Sequence, residues 1–319
     1  MRIAHAADIH IRNLKYHYEY REVFNQFYES LKEENVDCII LCGDIAHTKT
    51  QISPEFVKMS SELFRNLADI APTYIILGNH DGNLRNISRE DAISPIVEAL
   101  EHPRLTLIRN SEEAVIGEAS GLPVKVNVIS IFDKKNWLSP TDPTAVNIAL
   151  YHGALAGSKT DVGWVISHND DPLECFEGHD YIFLGDIHKT NQILDDDGKV
   201  RYPGSLVQQN FGESNDKGYL VWDIEDKDEY SCKHIRLTNP KPFITIELTP
   251  KGRMPRGTKV PTGARLRLVS NNNLSLDKLR KAVDVAKSRF KPESISFLNR
   301  ARGNKGNIDE GLAGSLTMR

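Results

Sequence analysis

Five short segments carry groups that bind divalent metal ions: Asp8 with His10, Asp44, Asn79 with His80, His152, and Asp186 with His188. A single Asp or His in a loop more often caps a turn or meets water than holds a metal. Together these residues offer carboxylate oxygens, imidazole nitrogens and one amide oxygen, a donor set suited to manganese, magnesium, iron or zinc. Asp8 and His10 stand two residues apart, as do Asp186 and His188, and in extended backbone such a pair points to one side. Two such pairs, with a carboxylate from a third segment, would hold two ions about 3.5 to 4 Å apart. Two ions at that spacing need a bridging carboxylate, and Asp44 is the candidate.

Each segment follows an apolar run of strand type. Arg2 to Ala7 leads into Asp8 and His10, Val36 to Cys42 into Gly43 and Asp44, and Thr73 to Leu77 into Gly78, Asn79, His80 and Asp81. Lys125 to Phe132, Val146 to Tyr151 and Tyr181 to Leu184 continue the pattern, and the last two deliver His152 and the Gly185-Asp186-Ile187-His188 group. Gly218 to Ile224 and Lys233 to Leu237 complete the strand-like stretches of this region. Helical spacing appears between them. Tyr20, Val23, Phe24, Phe27 and Leu31 mark one face, and Phe56, Met59, Leu63, Phe64 and Leu67 a second, begun by Ser53-Pro54-Glu55. Alternating strands and helices predict a layered α/β core, and a parallel sheet gathers the loops at its carboxyl ends into one crevice. Continuously apolar strands predict burial on both faces.

The pattern breaks near Asn239 to Pro242. Beyond it, Phe243 to Leu248 and Ala264 to Val269 alternate as strands, and Leu276, Leu279, Val283, Ala286 and Phe290 suit a surface helix. We therefore expect a domain over 1–239, a small α/β capping domain over 240–300 and a flexible tail over 301–319, where Gly and Asn are frequent. The chain has 319 residues and a formal charge of −4. Residues 251–319 hold sixteen Lys and Arg against five Asp and Glu, a net of +11. That leaves −15 on residues 1–250, where 24 cations face 39 acids. Bound cations would offset part of the acidic charge, and the basic end could meet phosphates. Cys38, Cys42, Cys175 and Cys232 show no zinc spacing and read as core or isolated thiols. No apolar run is long enough to span a bilayer or to act as a signal peptide, so a cytoplasmic setting without membrane contact is the expectation.

The series Asp-Ile-His, Gly-Asp, Gly-Asn-His-Asp, a strand ending in His-Gly, and Gly-x-x-His resembles the calcineurin-like metallophosphoesterase superfamily. More narrowly, the chain resembles SbcD-type nuclease subunits of DNA repair and recombination, in Asp44-Ile45-Ala46-His47 and in Tyr202-Pro203-Gly204-Ser205 followed by Gln208 to Glu213. The likeness covers residues 1 to 240 well and the rest weakly. It implies a layered β-sandwich flanked by helices, two divalent cations (manganese first, magnesium second), and hydrolysis of DNA as exonuclease and endonuclease. One ion would take Asp8, His10, Asp44 and His188; the other Asp44, Asn79, His152 and Asp186. His80 would act beside the scissile phosphate, and His47 would position substrate or hydroxide. The family usually has His at position 186. Asp186 adds a hard oxygen ligand and a negative charge, which would favour manganese or magnesium.

The same resemblance implies a homodimer through helices near 19–33 and 54–69, an SMC-like ATPase partner, and the cytoplasm of a bacterial or phage-infected cell. Phe24, Phe27, Phe56 and Phe64 also fit simple packing of helices onto the sheet. Ser205 would order a loop or touch phosphate and not act as a nucleophile, since the chain offers no convincing Ser-His-acid assembly. His168 and His179 read as surface or turn residues. Lys251, Arg253, Arg256, Lys259, Arg265 and Arg267 would track a DNA backbone without reading bases. Two other functions use the same features: a phosphoprotein or small-molecule phosphoesterase, and a noncatalytic scaffold that binds DNA ends.

Overall fold

The apolar runs become strands, and those at Cys38–Cys42, Val146–His152 and Tyr181–Gly185 have every residue buried. The structure is a computed structural model and describes residues 1–50, 52–167 and 176–301. Cys175, His168 and positions 302–319 of the expected tail lie outside them. The first strands are β1 (Arg2–Ala6), β2 (Cys38–Cys42), β3 (Thr73–Ile76), β4 (Leu105–Ile108), β5 (Glu113–Ala119), β6 (Leu122–Ile129), β7 (Val146–His152) and β8 (Tyr181–Gly185). They are followed by β9 (Gln192–Ile193), β10 (Val200–Tyr202), β11 (Lys217–Ile224), β12 (Tyr230–Leu237), β13 (Phe243–Glu247), β14 (Arg265–Ser270) and β15 (Ser294–Asn299). The helices are α1 (His17–Glu33), α2 (Pro54–Ile70), α3 (Ser94–Leu100) and α4 (Leu276–Phe290).

Two six-stranded sheets, ordered β12-β11-β1-β2-β3-β4 and β5-β6-β7-β8-β10-β9, form a sandwich. In the first, β1 to β4 are parallel; in the second, β6, β7, β8 and β10 are parallel. Alternation along each strand divides the residues between two cores. Ile3, Cys38, Ile40 and Cys42 pack between the sheets against Val126, Val128, Ile148, Leu150 and Phe183. Ala4, Ala6, Ile39 and Leu41 face the other way, against α1 and α2. The predicted helical stripes meet that face: Tyr20, Val23, Phe27, Leu31, Met59, Leu63, Phe64 and Leu67 are buried there. Ser53 caps α2 by accepting the Phe56 amide at 3.2 Å, with Pro54 in the first turn, an arrangement that contributes about 1 kcal/mol. The outer face of the second sheet carries Tyr151, Ile182, Leu184 and Tyr202, packed with Leu155 and Phe176. The architecture is α/β, with two mixed sheets, flanking helices and a smaller parallel sheet.

Backbone contacts divide the chain into two compact units: 1–209 with 216–238, and 210–215 with the chain from Asn239 onward. In the second unit β13, β14 and β15 form a parallel sheet, backed by Ala282, Val283, Ala286 and Phe290 of α4. The short segment 210–215 belongs with this unit through Phe211, whose ring lies 5.0 Å from Phe243 and 4.3 Å below the Arg267 guanidinium. Among the described residues no helix is long and apolar enough to cross a membrane. Cys38 and Cys42 are buried, and Cys232 is half-buried.

His5, on β1, is fully buried, stacked on Phe183 at 4.6 Å, and its Nε2 lies 3.0 Å from the Leu184 carbonyl oxygen. Burial pushes its pKa down from 6.5 to about 3, against the opposing hydrogen bond. A base with a lowered folded-state pKa contributes stability that is complete above its unfolded value and is lost as pH falls toward the folded one. In chelator, the folded chain is expected to lose about 3 kcal/mol on this account between about pH 7.5 and about pH 4.5. His5→Phe keeps the stack and cannot take up a proton, so the difference between its urea-unfolding free energies at the two pH values should be smaller by that amount. Equal losses in both chains would remove His5 as the cause.

Candidate metal centre

The residues gathered by spacing lie at the carboxyl ends of the parallel strands. Asp8 and His10 follow β1, Asp44 follows β2, Asn79 and His80 follow β3, His152 closes β7, and Asp186 and His188 follow β8. The loops are laced together by backbone: Asp8 N donates to Gly43 O (3.1 Å), His10 N to Asp44 O (2.9 Å) and Ile11 N to Ile45 O (2.8 Å). Asp8, His10, Asp44 and Asp186 all have positive φ, at 53°, 47°, 55° and 94°. Positive φ costs a side-chain-bearing residue about 1 kcal/mol or more, and such strain collects at functional sites.

Three groups of ligand atoms, each mutually within 4.8 Å, overlap: Asp8, His10 and His188; His10, Asp44 and His80; Asp8, Asp44 and His152. Asp44 lies at the junction. Its Oδ2 is 3.4 Å from His10 Nε2, and its Oδ1 is 3.3 Å from His152 Nε2. The two oxygens thus face imidazoles from the two sheets, as a bridging carboxylate would. His10 Nε2 and His188 Nε2 stand 3.0 Å apart, and His152 Nε2 is 3.8 Å from Asp186 Oδ1.

The donor set fits divalent cations. His152 Nδ1 lies 2.8 Å from Cys42 O, so that nitrogen donates its N–H and a neutral ring keeps its lone pair on Nε2. Asn79 Oδ1 is buried without a hydrogen-bond partner. Unsatisfied polar atoms of this kind cost about 1–3 kcal/mol each, a cost that coordination removes. The charges are also uncompensated. Burial raises the Asp8 carboxyl to about 7, against the pull of His188 and His152. Asp186 is raised for the same first reason. Burial opposes ionisation of Asp44 too, but His152, His10 and the His80 amide hold it below the carboxylate range. Burial likewise opposes protonation of His152, and Asp44, Asp8 and Asp186 outweigh it, holding a proton where a cation would otherwise balance the acids.

Glycine makes the approach possible at two points. A Cβ on Gly185 would lie 2.0 Å from Cys42 O, the acceptor that orients His152. A Cβ on Gly78 would lie 2.2 Å from Asp44 Oδ1. Asp81, whose role was not apparent from the sequence, is fully buried and accepts the Ala46 amide at 2.8 Å and the Gly78 amide at 2.9 Å, clamping the loops after β2 and β3. Its only signal is its place at the end of Gly78-Asn79-His80-Asp81.

His80 and His47 border the cluster. The His80 amide donates to Asp44 Oδ1 (2.8 Å), its Nδ1 lies 2.7 Å from His47 O, and its ring is 4.9 Å from that of His10. Burial and then Arg12 lower the His47 pKa. Ser205 is fully buried, bridges Ala7 and donates its amide to His188 O at 3.3 Å, which is a loop-ordering position. His179 is half-buried, with Nδ1 3.0 Å from Phe176 O. The six basic residues belong to the second unit. Lys251, Arg253, Arg256 and Lys259 are exposed. Arg265 is not available to a backbone of phosphates: it is 6% exposed, pairs with Glu293 at 3.1 Å and donates to Lys241 O. Arg267 is half-buried over Phe211.

An uncharacterised protein of Acanthamoeba polyphaga mimivirus is 38% identical over 280 residues, covering 85% of this chain and 20% of that protein. The DNA double-strand break repair protein Mre11 of Methanopyrus kandleri is 29% identical over 244 residues, covering 68% of this chain and 51% of that protein. The chain thus spans a fifth of the first relative and about half of the second. Among solved structures, the Pseudomonas putida nuclease MPE matches 45% of this chain and 57% of its own with a TM-score of 0.25 and 16% identity, too slight a likeness to build on. A sequence profile of calcineurin-like phosphoesterases matches residues 1–190, well over half of the chain and the stretch that holds every candidate ligand. The chain belongs to the calcineurin-like phosphoesterase family.

Proposed function

We propose that this protein is a two-metal phosphodiesterase that hydrolyses DNA, cutting as exonuclease and endonuclease. The observation that carries the reading is Asp44, placed with one oxygen toward His10 and the other toward His152. Asp8, His10, Asp44 and His188 would hold one divalent cation, and Asp44, Asn79, His152 and Asp186 the second. Bound there, the pair would supply an acidic water and offset charge on the phosphate. His80, with Nδ1 fixed by the His47 carbonyl, exchanges a proton with the leaving oxygen through Nε2. His47 positions the substrate. A cleft of about 500 Å³ opens beside Asn79, His152 and Asp186, walled by Leu84 and Phe132 with Lys134 and Lys135 at its side. Apolar walls suit a nucleoside, and the ammonium groups suit the next phosphate.

DNA as substrate draws further support from the Mre11 relative, which is named for DNA double-strand break repair. In this reading 1–239 is the nuclease domain, 240–300 a DNA-binding cap and 301–319 a tail, with Lys251, Arg253, Arg256 and Lys259 along the DNA path. A homodimer through α1 and α2 would use outward residues such as Tyr18 and Val57, because the aromatic stripes lie in the core. An SMC-like ATPase partner would govern access to ends. The oxygen-rich second site, with Asp186, favours manganese, then magnesium.

The purified chain should cleave labelled duplex and single-stranded DNA, fastest with manganese and not at all in chelator. His80→Ala should slow cleavage about 10²–10⁴-fold. Hydrolysis confined to a small phosphodiester would assign the centre to another phosphoesterase, and DNA binding without cleavage would make the chain a scaffold. Either result overturns the reading.

A further inference from the structure

Residues 158–166 fold into a tight turn just beyond His152. Lys159 and Val165 pair as an antiparallel bridge, Thr160 N donates to Trp164 O at 2.9 Å, and Trp164 N donates to Thr160 Oγ1 at 3.2 Å. The tip is apolar and faces solvent: Val162 is 74% exposed and Trp164 69%. With Val165 45% exposed beside them, three apolar side chains adjoin at one tip, a small patch and not a single scattered residue.

The base of the turn is anchored twice. The Lys159 amide donates to Gln192 Oε1 at 2.6 Å, and Gln192 Nε2 returns a bond to Lys159 O at 3.1 Å. Asp161 Oδ2 lies 3.2 Å from Lys217 Nζ, in a pair whose side chains are 8% and 1% exposed. The same ammonium donates to the carbonyl of His188 at 2.7 Å. Burying an ammonium and a carboxylate is costly, and such a pair is weak evidence for stability alone. What this pair does geometrically is tie the turn to the backbone of a candidate metal ligand. The turn that carries the exposed indole is therefore tied to the backbone of that residue.

We propose that the turn is a base-stacking finger: Trp164 stacks on the base of an unpaired nucleotide adjoining the phosphate at the metal centre, and Lys217 with Asp161 holds the finger in register with His188. The inference rests on the DNA-hydrolysing reading above. A base is the occupant that fits, because one ring on a nine-residue turn offers the area of a stack rather than of a protein interface. The turn is continuous with the centre that would hold the phosphate, and exposed Lys159 stands beside it. An unpaired base is required because inside a duplex both faces of each ring are covered by the neighbouring pairs.

The test uses the full chain with manganese, a short single-stranded oligonucleotide, the same oligonucleotide with an abasic residue placed at each position in turn, and methyl para-nitrophenyl phosphate. Trp164→Ala should raise KM for the intact oligonucleotide about tenfold, with kcat little changed and hydrolysis of the small ester unaffected. Trp164→Phe should restore most of the loss. At one position the abasic residue should cost the wild-type chain the same factor and cost Trp164→Ala nothing further. Equal kinetics of wild type and Trp164→Ala on the intact strand would overturn the finger and leave the tip to a protein partner. So would an abasic penalty equal in both chains. Wild-type chain that hydrolyses the small ester and no DNA would instead remove the DNA reading itself, and the finger with it.

Discussion

Asp44→Asn is expected to lower kcat for metal-dependent hydrolysis by at least about a thousandfold while leaving the chain folded. The size of the effect comes from the junction position. Asp8 serves one group with His10 and His188 and another with His152, while Asp44 has its two oxygens turned to imidazoles from different sheets, at 3.4 and 3.3 Å. An amide in its place keeps one oxygen and turns an N–H toward the other set of donors. It can complete one site at best. His152→Ala, by contrast, removes a ligand from one site and leaves the His10 and His188 group whole. The amide is isosteric, and one oxygen can still accept the His80 N–H now held at 2.8 Å, so unfolding is not the expected cause. Calorimetric titration with manganese should show fewer than two ions bound, beside an unchanged far-ultraviolet dichroism spectrum. A variant that keeps two ions and a tenth of the wild-type rate would remove Asp44 as the bridge.

The positions of the candidate ligands were legible because they follow from topology. An apolar run that ends in Asp or His, repeated five times, needs only a parallel sheet to bring the ends together, and β1 to β3 and β6 to β8 do so. The helical stripes of α1 and α2 were legible for the same reason, as burial periodicity. Other features depend on contacts between residues far apart in sequence, where periodicity is silent. The clamp of Asp81 on Ala46 and Gly78, and the reach of Lys217 from β11 to the His188 carbonyl, carry no local pattern. Arg265 shows the converse failure. In a basic stretch it reads as a surface cation, yet its β14 position turns it into the second unit, against Glu293 and Phe243. The two-residue β9 was lost for want of length, and β15 lies where a polar tail was about to begin.

The centre also trades stability for function, and Asp8 gives the sharpest expression of the trade. Its side chain is fully buried, its oxygens accept the Asp186 amide at 3.0 and 3.1 Å, and Asp44 and Asp186 add negative charge nearby. Without a metal cation the pull of the His188 and His152 imidazoles on an ionised Asp8 is smaller than the cost of its burial. Burial accordingly holds the carboxyl to about 7, where the unfolded chain ionises it near 3.8. An acid with a raised folded-state pKa makes the fold less stable as pH climbs through that window. In chelator at neutral pH, Asp8→Asn should therefore be more stable than the wild-type chain by about 1–3 kcal/mol, since one amide oxygen still accepts the Asp186 N–H. Below the window the two should converge. Saturating manganese should reverse the order. Ligand binding stabilises a fold by about 4 kcal/mol at a thousand times the dissociation constant, and the variant, missing a charged ligand, gains less. Urea unfolding of both chains, with chelator and with manganese, reads the crossover directly. A variant less stable than wild type in both conditions would show that Asp8 supports the fold itself, and the case for it as a ligand would lose its energetic footing. The crossover, if seen, is also the reason a cluster of three carboxylates persists: its repulsion in the metal-free chain is the same charge that draws the cations in.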